Sequence, residues 1–99
     1  MIITKTKEGN SLTVALEGRM DANSAPQLDE ALKEEMDGIT ELTIDLKKLA
    51  YTSSAGLRVL LSAQKTMNKK GGMVIRNVSD AIMEIFDMVG FTDLLNIEE

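Results

Sequence analysis

The stretch Leu42-Thr43-Ile44-Asp45-Leu46, followed by Tyr51-Thr52-Ser53-Ser54-Ala55-Gly56-Leu57-Arg58-Val59-Leu60-Leu61, decides how the chain folds. Its first part alternates apolar and polar residues with period two, as a half-buried strand does. In the second part, Leu57, Leu60 and Leu61, continued by Gln64 and Met67, recur at helical spacing. The hydroxyls of Thr52, Ser53 and Ser54 lie at the junction. A hydroxyl oxygen there can cap the helix by accepting a bond from an N–H that has no partner in the first turn. The same N–H groups and the positive end of the helix dipole would stabilise a phosphate attached at that point. The junction therefore has two readings, cap and phosphoacceptor.

Working back towards the start, Ile2 to Lys7 reads as a first strand and Glu8-Gly9-Asn10 as a turn. In the second strand Leu12, Val14 and Leu16 alternate with Ser11, Thr13 and Ala15, which predicts an antiparallel hairpin. Gly18-Arg19-Met20-Asp21 then leaves the sheet. Ser24 and Gln27 have the spacing of a capping box, and Pro26 is tolerated in a first helical turn. Leu28, Ala31, Leu32 and Met36 form the apolar stripe of that helix, and Gly38 stops it.

Working forward, the second helix spans about Ala55 to Asn68 and closes on Lys69-Lys70-Gly71-Gly72. Met73 to Arg76 is a short buried strand. Ser79 caps a third helix whose Ile82, Ile85, Phe86 and Val89 fit the i, i+3, i+4, i+7 template. Gly90 ends it, and Phe91 to Ile97 is either a fifth strand or one helical turn. The order β-β-α-β-α-β-α predicts an α/β fold with a mixed sheet, residues 1–99 forming a single domain.

Composition narrows the function. A hydrophobic fraction of 43% supports one core, built with few aromatics (3%) and seven Met. There is no Cys and no His, which removes disulfides, thiolate chemistry, Cys/His zinc sites and imidazole acid–base chemistry. The net charge of −5 disfavours nucleic acid as a partner. No apolar run approaches the roughly 18 residues of a membrane span, and no secretion signal opens the chain, so a cytoplasmic location is expected.

No Walker pattern, dinucleotide fingerprint or nucleophile elbow is present. Gly71-Gly72 follows a helix and reads as its C-terminal cap. Asp21 and Asp45 are available as a carboxylate pair, but two acids among 16 are weak evidence for a catalytic site, and Asp45 reads as a polar-face strand residue. A serine nucleophile would have only Lys or a carboxylate as its base. The chain is expected not to be an enzyme and to need neither cofactor nor metal.

Thr52-Ser53-Ser54-Ala55-Gly56-Leu57, after a strand ending in Asp45-Leu46, resembles the signature of STAS domains, in particular the small bacterial anti-sigma factor antagonists. The likeness extends to the opening hairpin, to Gly18-Arg19-Met20-Asp21 and to Val89-Gly90-Phe91. It implies a four- or five-stranded sheet with helices packed on one face. It further implies a partner-switching protein whose unmodified form binds an anti-sigma factor serine kinase and so frees a sigma factor. Phosphorylation ends that binding, and a serine phosphatase restores it.

Matched residue by residue, the phosphorylated serine is Ser54, two residues before Gly56, with Ser53 as the second choice. The family often has Asp immediately before this serine, whereas this chain has Ser53. Asp21 matches an acidic position in the loop after the second strand, and Arg58 lies one turn into the helix. The implied partner-binding set is Asp21, Thr52, Ser53, Ser54, Gly56 and Arg58, on a chain expected to be monomeric. The alternative is a phosphorylation-independent STAS scaffold in a lipid-transport or signalling assembly, with Ser54 serving only as a cap.

Overall fold

A computed structural model of the chain describes residues 1–98. The elements are β1 (Ile2–Glu8), β2 (Ser11–Met20), α1 (Ala25–Glu35), β3 (Glu41–Thr52), α2 (Ser54–Asn68), β4 (Gly72–Arg76) and α3 (Asp80–Met88). They occur in the expected order. β1 and β2 form the antiparallel hairpin, closed at Glu8 and Ser11 by a tight turn in which Gly9 takes φ +60°. β2, β3 and β4 run parallel in a four-stranded sheet of order β1-β2-β3-β4.

Register explains why the helices gather on one face. Leu12 pairs with Leu42 and Leu42 with Met73; Val14 pairs with Ile44 and Ile44 with Ile75. These residues and Leu16 therefore share one side of the sheet, and all are buried. Leu28 and Leu32 from α1, Leu57, Leu60 and Met67 from α2, and Ile82 and Phe86 from α3 complete this core. Each such side chain contributes roughly 1.5–3 kcal/mol by leaving water. On the opposite face, Thr13, Ala15, Thr43, Asp45 and Val74 are only half-buried.

β3 is longer than its alternation indicates, running to Thr52 rather than ending at Leu46. The cause is a pair of bulges. Ala15 pairs with Asp45 but Glu17 pairs with Lys48, and Gly18 pairs with Leu49 but Arg19 pairs with Tyr51. Each shift inserts one residue into β3, so the buried positions run Leu46, Leu49, Thr52 at intervals of three. β2 accompanies it, and Gly18-Arg19-Met20 stays in the sheet rather than leaving it.

Two smaller expectations also change. The Ser24–Gln27 capping box does not form, because the Ser24 hydroxyl is engaged upstream: it donates to the Arg19 carbonyl at 2.9 Å and accepts from the Asp21 N–H at 2.9 Å. Val89 lies just past α3 and is 45% exposed rather than in its buried stripe. Of the two readings of the segment after Gly90, the turn is the one found: the Leu95 N–H donates to the Phe91 carbonyl at 3.0 Å, and only an isolated bridge, Ile75 to Ile97, follows it. The Ser79 cap of α3 is present, its hydroxyl accepting from the Ile82 N–H at 3.2 Å. No helix among the described residues is long and apolar enough to cross a membrane.

Candidate functional site

The two bulges deliver the end of β3 to the start of α2 beside the end of β2. Met20 pairs with Thr52, and the Ser53 N–H donates to the Met20 carbonyl at 2.8 Å. The Asp21 loop is thereby held next to the hydroxyl cluster. Ser53 has extended backbone angles and accepts from the Gly56 N–H at a long 3.4 Å, so it is the cap of α2. Ser54 is the first residue of the helix and is exposed. The cap role thus falls on one serine and accessibility on its neighbour.

Of the other implied residues, Arg58 is exposed one turn further along. Thr52 and Gly56 are buried, which removes their side-chain positions from direct contact with a partner. Thr52 Oγ1 donates to the Ser53 carbonyl at 3.2 Å. A Cβ at Gly56 would lie 2.7 Å from Met20 Cε, Met20 Cγ and Thr52 Oγ1. Gly56 is therefore the residue that lets α2 start close against the sheet, and its effect on the surface is indirect.

Asp21 organises its own loop. Its Oδ1 accepts from the N–H of Ser24 at 2.9 Å, from the Ser24 hydroxyl at 3.1 Å and from the N–H of Asn23 at 3.0 Å. Bonding from the Ser24 N–H, then the Ser24 hydroxyl, then the Asn23 N–H, with Arg19 nearby, lowers its pKa. A carboxylate whose folded pKa is depressed adds stability above its unfolded pKa of about 4, and that stability is lost as pH falls through the lower folded value. An Asp21→Asn variant should therefore melt below the parent at neutral pH, with the gap closing as pH falls below about 4 through the depressed folded pKa, as followed by thermal melts across that range.

The sequence reading did not single out Arg19 and Tyr51. The Arg19 guanidinium lies 4.4 Å from the centre of the Tyr51 ring, bringing a cation and an aromatic face to the same end of the sheet. Only the bulged register makes them neighbours, so no local pattern marks them. Asp45 and Asp21 are not brought together. Asp45 pairs with Ala15, six residues before Asp21 along β2, which is roughly 20 Å of strand. Asp45 instead accepts from Asn77 Nδ2 at 3.0 Å and from the Lys47 N–H at 2.9 Å, and the Asn77 bond chiefly lowers its pKa.

The family model described as "Mlab, STAS domain" matches residues 3–96. The chain belongs to the STAS domain family. Among curated relatives, the anti-sigma-B factor antagonist of Bacillus subtilis is 34% identical over 89 residues, which is 89% of this chain and 82% of that protein. The fold also matches SpoIIAA, an anti-sigma factor antagonist and Bacillus cell fate determinant, in two states. Its unphosphorylated form aligns with TM-score 0.83 at 14% identity, covering 99% of this STAS chain and 89% of SpoIIAA. Its phosphorylated form aligns with TM-score 0.76 at 14% identity, covering 99% and 92%. At that identity the likeness to SpoIIAA is one of fold.

Capping by Ser53 has a measurable consequence for this STAS domain. Ser53→Ala removes the cap and is expected to destabilise the protein by about 1 kcal/mol. That corresponds to a melting temperature lowered by roughly 4–8 °C in a domain of this size, read by calorimetry.

Proposed function

We propose that this STAS domain is an anti-sigma factor antagonist that acts by partner switching. Its unmodified form binds an anti-sigma factor that is a serine kinase and so releases a sigma factor. Phosphorylation of Ser54 ends the complex, and a serine phosphatase regenerates the binding form. The chain itself performs no turnover. The names of its curated relatives support this reading, and SpoIIAA retains a similar fold when phosphorylated. The observation that carries it is the exposure of Ser54 at the first position of α2, while the neighbouring Ser53 supplies the cap.

The experiment is incubation with a purified anti-sigma factor kinase and ATP, with the phosphate mapped by mass spectrometry. One phosphate on Ser54 is expected, and none on a Ser54→Ala protein. Equal modification of Ser54→Ala would move the acceptor to Ser53. A protein that neither binds the kinase nor is modified would instead be a phosphorylation-independent scaffold.

A further inference from the structure

The acidic character of the chain is concentrated at one end. Residues 77–99 hold six of its 16 acidic residues and none of its 11 basic ones. Asp80, Glu84, Asp87 and Asp93 are all exposed, and among the described residues none of them enters an ion pair. The same segment carries Met88, 85% exposed, Val89, 45%, and Leu94, 53%; the remaining large exposed hydrophobic among the described residues is Ile2. Backbone bonds fold the turn under the helix: the Phe91 N–H donates to the Phe86 carbonyl at 2.9 Å and the Leu95 N–H to the Phe91 carbonyl at 3.0 Å. Phe86 and Leu95 are buried, so Met88, Val89 and Leu94 stand outward on a fixed base.

This arrangement works against local stability. A helix favours cations in its last turn, where they face the negative end of its dipole. α1 has Lys33 there and α2 has Lys65, whereas α3 has no base and places Asp87 in that turn. Exposed apolar side chains set among carboxylates fit a surface with the opposite charge and its own apolar groups.

We propose that α3 and the turn to Leu94 form a docking surface for a protein segment of basic, amphipathic character, such as a helix with a leucine-type face flanked by Lys or Arg. A second copy of this chain would set carboxylates against carboxylates, and anionic lipid or nucleic acid would be repelled in the same way. The surface is built from other elements than Ser54, which opens α2, and does not depend on the switching proposed for it.

The probe is a labelled peptide of leucine and lysine, roughly 14 residues or about four helical turns, titrated into isotopically labelled protein and followed by amide NMR. Shifts confined to residues 80–95 are expected, with affinity falling at about 1 M salt, where screening reaches ~3 Å. Met88→Ser with Leu94→Ser should weaken binding about tenfold, and Glu84→Gln with Asp87→Asn should reduce its salt dependence. These side chains are exposed, so the fold should persist, and Ser54→Asp should bind the peptide as the parent does. Equal shifts over the acidic face of α1 (Asp29, Glu30, Glu34), or equal binding by a leucine–glutamate peptide, would overturn the proposal. So would self-association abolished by the Met88→Ser pair.

Discussion

A Ser54→Asp variant is expected to bind the anti-sigma factor kinase about a hundredfold more weakly than the unmodified protein, while its circular dichroism spectrum and melting temperature stay unchanged or the latter rises slightly. The two halves of this expectation have different physical sources. Within the domain, a carboxylate at the first position of α2 faces the positive end of the helix dipole, a favourable placement worth about 0.3–1 kcal/mol. No cap is lost, because Ser53 makes it. At the interface, a charge buried without a counter-ion meets a desolvation penalty of about 3 kcal/mol or more, which is the hundredfold. A phosphate carries about −1.5 to −2 charges and should act more strongly than Asp. Affinity measured by calorimetry alongside a thermal melt separates the two terms. Parent-like affinity of Ser54→Asp would remove Ser54 from the interface. A collapse of its melting temperature, with Ser53→Ala costing little, would show that Ser54 rather than Ser53 stabilises the helix start.

The division of labour between Ser53 and Ser54 was only half legible in the sequence. Spacing located the junction to within one residue, because Leu57, Leu60, Gln64 and Met67 give α2 a strong period and all four are buried. Which serine caps depends on the backbone angles where β3 ends, and β3 runs there through two bulges that no local pattern marks. A bulge offsets the alternation by one residue, so the period-two signal stops at Leu46 although the strand continues to Thr52. The pairing of Arg19 with Tyr51 was hidden for the same reason. At α1, the capping-box spacing was present, but the Ser24 hydroxyl is drawn instead to the Arg19 carbonyl and the Asp21 loop. Helical period likewise placed Val89 with Ile82, Ile85 and Phe86. α3 ends before it, and the chain turns at Gly90 with φ +74°.

Gly71→Ala is expected to destabilise the domain by about 3 kcal/mol, roughly twice as much as Gly72→Ala at the next residue. In sequence both glycines read as a loose end to α2. In the structure a Cβ on Gly71 would lie 2.1 Å from the Thr40 carbonyl oxygen and 3.0 Å from the Thr40 carbonyl carbon, whereas one on Gly72 would meet open space. Thr40 cannot easily yield, because its N–H donates to the Asn10 carbonyl at 2.9 Å and the next residue, Glu41, begins β3. Both glycines have φ near +157°, at the edge of the region L residues avoid, which adds of order 1–2 kcal/mol to either substitution. Only Gly71 adds the steric term of about 1–3 kcal/mol. A loss of about 3 kcal/mol lowers the melting temperature by roughly 12–24 °C, and the Gly72→Ala control by about half that. β3 is thus held at both ends, by Thr40 against Gly71 and by Ser53 against Met20, and the second anchor sets where Ser54 emerges. Gly71→Ala should therefore weaken partner binding in proportion to the fraction unfolded, and ligand-detected melts at two temperatures would show the loss recovering on cooling towards the temperature of maximum stability. Equal melting temperatures for the two glycine variants would mean that Thr40 and the start of β3 can move, and that the strand delivering Ser54 is anchored at its far end alone.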